Sequence, residues 1–476
     1  MAGITREVFL RDYGAAIRAG ESAVFVGAGL SRSAGYVDWK GLLKEFAKDL
    51  KLDLDIETDL TLVAQYHLNR ERQNRTRLHN KLVAEFGKKV DPSRAHELLA
   101  QLPINLFWTS NYDHLVETAL EDAGRRCRVF KSSKARTYTS PADDLVFKLH
   151  GDLDDPSTIV ITRDDYANYV KTYPHFRERL RLDLAEKTFL FLGFSFTDPH
   201  LDFILNELRS TYGENQRNHY VIMGKEQRHR RTDKAYRYAL NKQRLRIEDL
   251  ENFGIKTLLV DDFDEVPRLL EDLLIGYRRR QVFVSDAADD FDPRGKDWLE
   301  TVASGLGKRL IEEGFNLVSG FGKGVGPYVL TGALEELYRE AGTNIDRRLL
   351  LRPFPYARPN PERYTKYRES MLSAVGFAVF LAGNKFDPET GGIVSSPGVE
   401  EEFRIASANG AIPIPIGSSG HMAAELWGRV KADPAAFGLE RAPKSALKRL
   451  SRSNVSAEDA VEAVVTILLA LREPRR

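Results

Sequence analysis

The chain has 476 residues, enough for more than one domain, and a formal net charge of +1 from 70 Lys and Arg against 69 Asp and Glu. That balance argues against a nucleic-acid partner, because general polyanion binders carry a basic excess. The single cysteine, Cys127, excludes an intrachain disulfide and every multi-cysteine zinc site, and no apolar run approaches the ~20 residues of a bilayer span.

The first 15 residues are interrupted by Arg6, Glu7, Arg11 and Asp12, so they do not read as a signal peptide. The expectation is a soluble, cytoplasmic protein without a membrane partner. Residues 4–20 have the pattern of an amphipathic helix, and Ser22 to Val26 that of a short buried strand entering the glycine loop Val26-Gly27-Ala28-Gly29-Leu30-Ser31. Residues 39–52 and 60–86 carry helical spacing, with Gln65 expected to face solvent. A short helix at 96–102, a strand at 104–109 and a helix from about Asp113 follow. Strands are expected at 144–149, 188–193, 219–223 and 257–260, with helical patterns between them, which is the signature of a parallel α/β sheet. A helix over 265–278 runs into Arg278-Arg279-Arg280, a basic end that suits the helix dipole, and the domain boundary is placed at residue 280.

A second α/β pattern fills 281–476. Strands are expected at 281–285, 316–320, 349–352, 377–381 and 412–416, and helices at 295–313, 327–341 and 400–408. A second glycine run, Gly320, Gly322, Gly324 and Gly326, again lies between a strand and a helix. Glycines at alternate positions cost backbone entropy, so a bland explanation for this run is hard to find.

The chemistry concentrates in the first half. A glycine loop between strand and helix lets backbone N–H groups approach a pyrophosphate beside a helix N-terminus. Ser31 suits an N-cap or a phosphate contact, with the N-cap expected. Thr109-Ser110-Asn111-Tyr112-Asp113 places an amide and a carboxylate two positions apart after a strand, and Leu149-His150-Gly151-Asp152 places a histidine at another strand end. His150 is a candidate base near neutral pH. Asn111 can orient ribose hydroxyls or a water. Asp113 can favour developing positive charge or cap a helix. Ser195 and Asp198 can serve as cap and turn residues. This set suits cleavage of a nucleotide at its ribose.

These motifs, with Gly35 to Trp39 and Phe191 to Asp198, resemble in order and spacing the NAD-binding domain of the sirtuins over about residues 20–210. The resemblance implies a Rossmann-type parallel sheet with a helical insert. It implies NAD contacts from Gly27, Ala28, Gly29, Ser31, Asp113, Gly193 and Ser195, and catalytic roles for Asn111, Asp113 and His150. Two departures separate the chain from the deacetylases: it lacks the cysteines of their zinc module, and it carries Asp38-Trp39-Lys40 where their pattern has Asp-Phe-Arg. No metal is expected.

The second half resembles the SLOG superfamily of nucleotide-binding domains. Its segment Ser396-Pro397-Gly398-Val399-Glu400-Glu401-Glu402 stands where that superfamily's phosphoribohydrolases carry a glycine-threonine signature, which favours binding over turnover. Both halves together are similar to the effectors of the Thoeris antiphage systems. That resemblance implies an NAD+ hydrolase that depletes cellular NAD, switched on by a cyclic ADP-ribose isomer from a TIR-domain partner protein, and a homotetramer or larger assembly. It implies signal contacts from Gly320, Gly322, Gly324, Gly326, Arg368, Lys385 and Glu402. The alternatives are a nucleotide sensor without turnover, an NAD-dependent protein deacylase, or a phosphoribohydrolase in the second half.

Overall fold

Ser22–Val26, strand β1, is buried along its whole length and forms the centre of the first sheet. The strands that join it are β2 (Leu106–Thr109), β3 (Cys127–Lys131), β4 (Asp144–Lys148), β5 (Thr188–Leu192), β6 (His219–Gly224) and β7 (Ile255–Val260). They form a seven-stranded sheet in the order β3-β4-β2-β1-β5-β6-β7, parallel throughout. A strand covered on both faces needs apolar side chains at every position, and β1 and β5 (TFLFL) meet that demand. Trp108 on β2 is fully buried, stacks on Phe147 at 4.5 Å and donates its indole N–H to Asp183.

The computed structural model describes residues 3–57, 59–131, 143–194, 196, 198–229, 231–339, 345–353 and 360–473. The chain divides into two units between Leu274 and Ile275, inside the helix Glu265–Arg278 whose end marks the boundary in the sequence. The second unit holds β8 (Gln281–Ser285), β9 (Asn316–Ser319), β10 (Leu349–Leu351), β11 (Phe377–Phe380) and, after a hairpin, β14 (Ile412–Pro415). These pair in parallel in the order β10-β9-β8-β11-β14. The hairpin is β12 (Asn384–Asp387) against β13 (Gly392–Ser395), antiparallel. Among the described residues, no helix is long and apolar enough to cross a membrane.

Three differences from the sequence reading have physical causes. The helical stretch 60–86 is two helices, Leu60–Arg70 and Thr76–Phe86, because Arg72 and Gln73 between them adopt positive φ of 51° and 67°. Strand β3 is an edge strand with one buried residue, and its Arg and Lys obscure the strand pattern. Gln65 is buried rather than solvent-facing, and its Oε1 accepts the Asp164 N–H at 2.9 Å.

Candidate active site

The parallel register brings four loops to one edge of the first sheet. Val26 pairs with both Thr109 and Leu192, and Thr109 pairs with Lys148, so β1, β2, β4 and β5 end side by side. From β1 the chain moves to β2 on one side, while β5 leads to β6 on the other. A crevice outside the carboxyl ends of such strands is where doubly wound sheets bind ligands.

The loops after β1 and β5 cross in direct backbone contact. Gly193 has φ of 63°, and a Cβ there would lie 2.2 Å from the Leu30 nitrogen; one at Gly27 would lie 2.5 Å from the Gly193 carbonyl oxygen. The Gly27 N–H donates to Leu192 O at 2.8 Å and the Gly29 N–H to Gly193 O at 2.9 Å. Those two N–H groups are therefore spent on the fold rather than held out for a phosphate, as the sequence reading has them. Ala28 opens the helix Ala28–Ala34, whose N-cap is Gly27. Ser31 is consequently inside the first turn and not a cap; its Oγ accepts from Asn111 Nδ2 at 2.8 Å.

Asn111 is held from both sides. Its backbone N–H donates to Thr109 Oγ1, and Nδ2 also donates to the Gly27 carbonyl at 3.1 Å. These acceptors fix which end of the amide is nitrogen. Asn111 Oδ1 is left buried with no hydrogen-bond partner among the described residues. Asp113 lies one residue before His114, the N-cap of the helix Leu115–Asp122; its Oδ1 accepts the Leu115 N–H at 3.1 Å, and its Oδ2 is likewise buried without a hydrogen-bond partner among the described residues.

Beneath them lies an ionic cluster the sequence reading missed. Lys148, fully buried at the end of β4, donates to the carbonyls of Tyr112 and Asp113 and pairs with Asp152 at 2.6 Å and Glu117 at 3.1 Å. Burial pushes the Asp152 carboxyl up, but the bond from His114 and the Lys148 and Lys131 ammonium groups outweigh it and hold it well below the usual carboxylate range. The possible ligand atoms of His114, Asp152 and Asp154 lie within 4.8 Å of one another. Lys131 bridges both carboxylates, at 2.7 and 2.9 Å.

His150 follows β4. Gly151 turns the chain with φ of 88°, where a Cβ would meet Thr158 O at 2.3 Å, and the His150 carbonyl accepts the Val160 N–H at 3.0 Å. The ring's Nε2 stands 2.7 Å from Asp198 Oδ2 and 3.4 Å from the Tyr166 hydroxyl. Its Nδ1 is buried with no hydrogen-bond partner among the described residues. Asp198 also caps the helix Pro199–Tyr212 through Oδ1, which accepts the Leu201 N–H at 3.1 Å. The Asp-Pro pair signals that cap in the sequence; the contact with His150 is tertiary and has no local signal. Ser195 lies outside the described residues. A cavity of about 740 Å³ opens elsewhere, beside the first residues of β5 and β6, and its Arg217 is already paired with Glu21.

In the second unit, the glycine run packs on the segment after β8. A Cβ at Gly322 would lie 2.4 Å from Asp286 Oδ1, and one at Gly324 would lie 1.9 Å from Ala288 O. The Gly322 N–H donates to Asp286 Oδ1 at 2.9 Å, and Gly326 opens the helix Gly326–Leu337. Gly320 is buried directly after β9. Burial pushes the Asp286 carboxyl up to about 7, and the nearby Glu402 adds to the rise. Glu402, which could pair with Arg404 on sequence grounds, instead accepts from Ser285 Oγ at 2.6 Å and lies 3.4 Å from Arg368 Nε. Arg368 also pairs with Glu401 at 2.6 Å, and Lys385 stands exposed on β12.

Two family models match the chain: a SIR2-like domain over residues 105–247 and the Sir2- and TIR-associating SLOG family over 265–471. The chain is 39% identical to the NAD(+) hydrolase ThsA of Bacillus cereus (strain MSX-D12), over 96% of this chain and 97% of that one. It is 42% identical to the NAD(+) hydrolase ThsA of Acinetobacter baumannii (strain 532279), over 86% and 87%. Among solved structures, a Sir2 homologue–NAD complex matches with a TM-score of 0.32 at 13% identity, covering 57% of this chain and 95% of that one.

Proposed function

The chain belongs to the family of ThsA NAD(+) hydrolases, and from that premise we propose that its first unit cleaves NAD+ to nicotinamide and ADP-ribose. The observation that carries this reading is the group of buried polar atoms without a hydrogen-bond partner among the described residues, Asn111 Oδ1, Asp113 Oδ2 and His150 Nδ1, on loops that share one sheet edge. Buried polar atoms without partners cost about 1–3 kcal/mol each, and a ligand rich in hydroxyl donors would satisfy them.

The chemistry asks little covalent work of the protein. Nicotinamide leaves as a neutral base, and the ribosyl transition state carries positive charge, which acceptors fixed in a buried site stabilise. Asn111 Oδ1 orients a ribose hydroxyl or the attacking water, the Asp113 carboxylate favours the developing cation, and His150 takes the water proton. The single cysteine speaks against the zinc module of peptide deacetylases.

The regulated part of the reading is that a cyclic ADP-ribose isomer, supplied by a TIR-domain partner protein, binds the second unit and switches on hydrolysis in a homotetramer or larger assembly. This would deplete cellular NAD in antiphage defence. The family description that pairs SLOG with TIR supports it. Arg368 suits a pyrophosphate, Glu402 suits ribose hydroxyls, and Lys385 adds an exposed positive charge.

The test is NAD+ consumption by the full-length protein, with nicotinamide and ADP-ribose quantified, with and without a panel of cyclic ADP-ribose isomers. Turnover that rises sharply with one isomer and disappears in His150→Ala is the expected result. NAD+ binding without turnover under any condition would leave a non-catalytic sensor.

A further inference from the structure

Asp198 has two oxygens with different duties. Capping the helix Pro199–Tyr212 needs one, and Oδ1 supplies it by accepting the Leu201 N–H. Oδ2 is the second, and it stands 2.7 Å from His150 Nε2, a charge contact rather than an aligned hydrogen bond. Both side chains are almost wholly buried, at 4% and 5% exposure. A buried carboxylate is costly unless a donor or a positive charge faces it, and His150 is the partner placed to provide one.

The consequence concerns the other ring nitrogen. A carboxylate beside Nε2 favours the tautomer that carries its proton there and leaves the lone pair on Nδ1. Nδ1 is also the buried nitrogen without a hydrogen-bond partner among the described residues. We propose that Asp198 is the positioning residue of the hydrolytic site: it holds the His150 proton on Nε2, so that Nδ1 is the atom that accepts the proton of the attacking water.

This inference rests on the NAD-cleavage reading and assigns a step within it. The water oxygen bonds to the ribose anomeric carbon as the bond from that carbon to nicotinamide breaks, and the electron pair leaves with the neutral base. One water proton passes to Nδ1 and then to solvent, so NAD+ and water give nicotinamide, ADP-ribose and one proton. The imidazolium that forms in between lies against the Asp198 carboxylate, the arrangement that serves serine hydrolases with the two ring nitrogens exchanged. The Tyr166 hydroxyl, 3.4 Å from the same Nε2, lines that side of the ring.

The test uses the full-length protein with NAD+ and the panel of cyclic ADP-ribose isomers. Asparagine caps helices as well as aspartate does, so Asp198→Asn keeps the cap and the volume but presents an amide N–H to Nε2. The expected result is an unchanged melting temperature, a KM for NAD+ within about threefold, and a kcat lowered about 10²–10⁴-fold, as when the wrong tautomer is imposed on a catalytic histidine. Nitrogen-15 NMR of the His150 ring should show the proton on Nε2 in the wild type and on Nδ1 in the variant. Asp198→Ser, which caps without reaching His150, should lose kcat to the same degree even if the asparagine variant folds poorly. A kcat within about threefold of wild type in a folded variant, or a wild-type ring protonated on Nδ1 alone, overturns the proposal. If the wild type turns over no NAD+ with any isomer, the hydrolase reading fails, while the NMR comparison still decides whether Asp198 sets the tautomer.

Discussion

Asp286 shows how one side chain makes a fold depend on pH. Its carboxyl, ordinarily near 3.8, is pushed up to about 7 by burial. The folded chain thus binds this proton more tightly than the unfolded one. The resulting stability is fully present below about pH 4 and is lost as pH rises through about 7. Asp286→Asn still accepts the Gly322 N–H and cannot ionise. The variant should flatten the decline in the second unit's stability between pH 5 and 8 and gain on the order of 2 kcal/mol over wild type at pH 8. Urea titrations at both pH values measure this, and an identical pH slope in the two proteins would refute it. At this scale the sequence singles out Asn111, Asp113 and His150, because each closely follows a strand within a compact motif. It leaves Asp198 ambiguous and Lys148 unnoticed. A partner 48 positions away from His150, and a lysine with 0% exposure inside an apolar run, acquire their meaning only from the sheet that brings them together.

Among the elements, the crossing of the β1 and β5 loops bears the closest tolerances in the first unit. A Cβ on Gly193 would meet backbone atoms of Gly29 and Leu30, which cannot swing away as a side-chain tip could, and φ of 63° adds its own strain. Gly193→Ala should cost on the order of 2–4 kcal/mol, lowering the melting temperature and weakening NAD+ binding together. Calorimetry of melting and binding on one preparation checks that they fall in step, and a stable variant that has lost only binding would contradict it. The strands on either side of this crossing are legible in the sequence because burial on both faces leaves continuous apolar runs. The β12–β13 hairpin escapes notice for the opposite reason: NKFD and GIVS are short and polar or half-exposed, and only their mutual register makes them strands.

For the whole molecule, the proposed switch is a matter of populations. Raising the active fraction from about 1% to 99% takes roughly 5.5 kcal/mol of preferential binding. Arg368 is already engaged with Glu401 and Glu402, so an anionic signal must exchange those partners for itself. Arg368→Ala should raise the signal concentration for half-maximal NAD+ hydrolysis more than tenfold and leave the maximal rate at saturation within about threefold. A loss of maximal rate alone would place Arg368 outside signal recognition. The two-sheet plan is legible in the sequence because each half repeats the alternation of strand and helix, whereas assembly leaves no comparable periodic trace. The crossing of the β1 and β5 loops also sets a timetable for synthesis. The hydrolytic site needs residues 27 to 198, and at 5–20 residues per second a ribosome takes roughly 10–30 s to supply the second half after the first. A nascent chain, or one truncated before β5, therefore has its glycine loop and His150 but neither Gly193 nor Asp198 to complete the site. The site is thus withheld until at least 198 of the 476 residues have been joined.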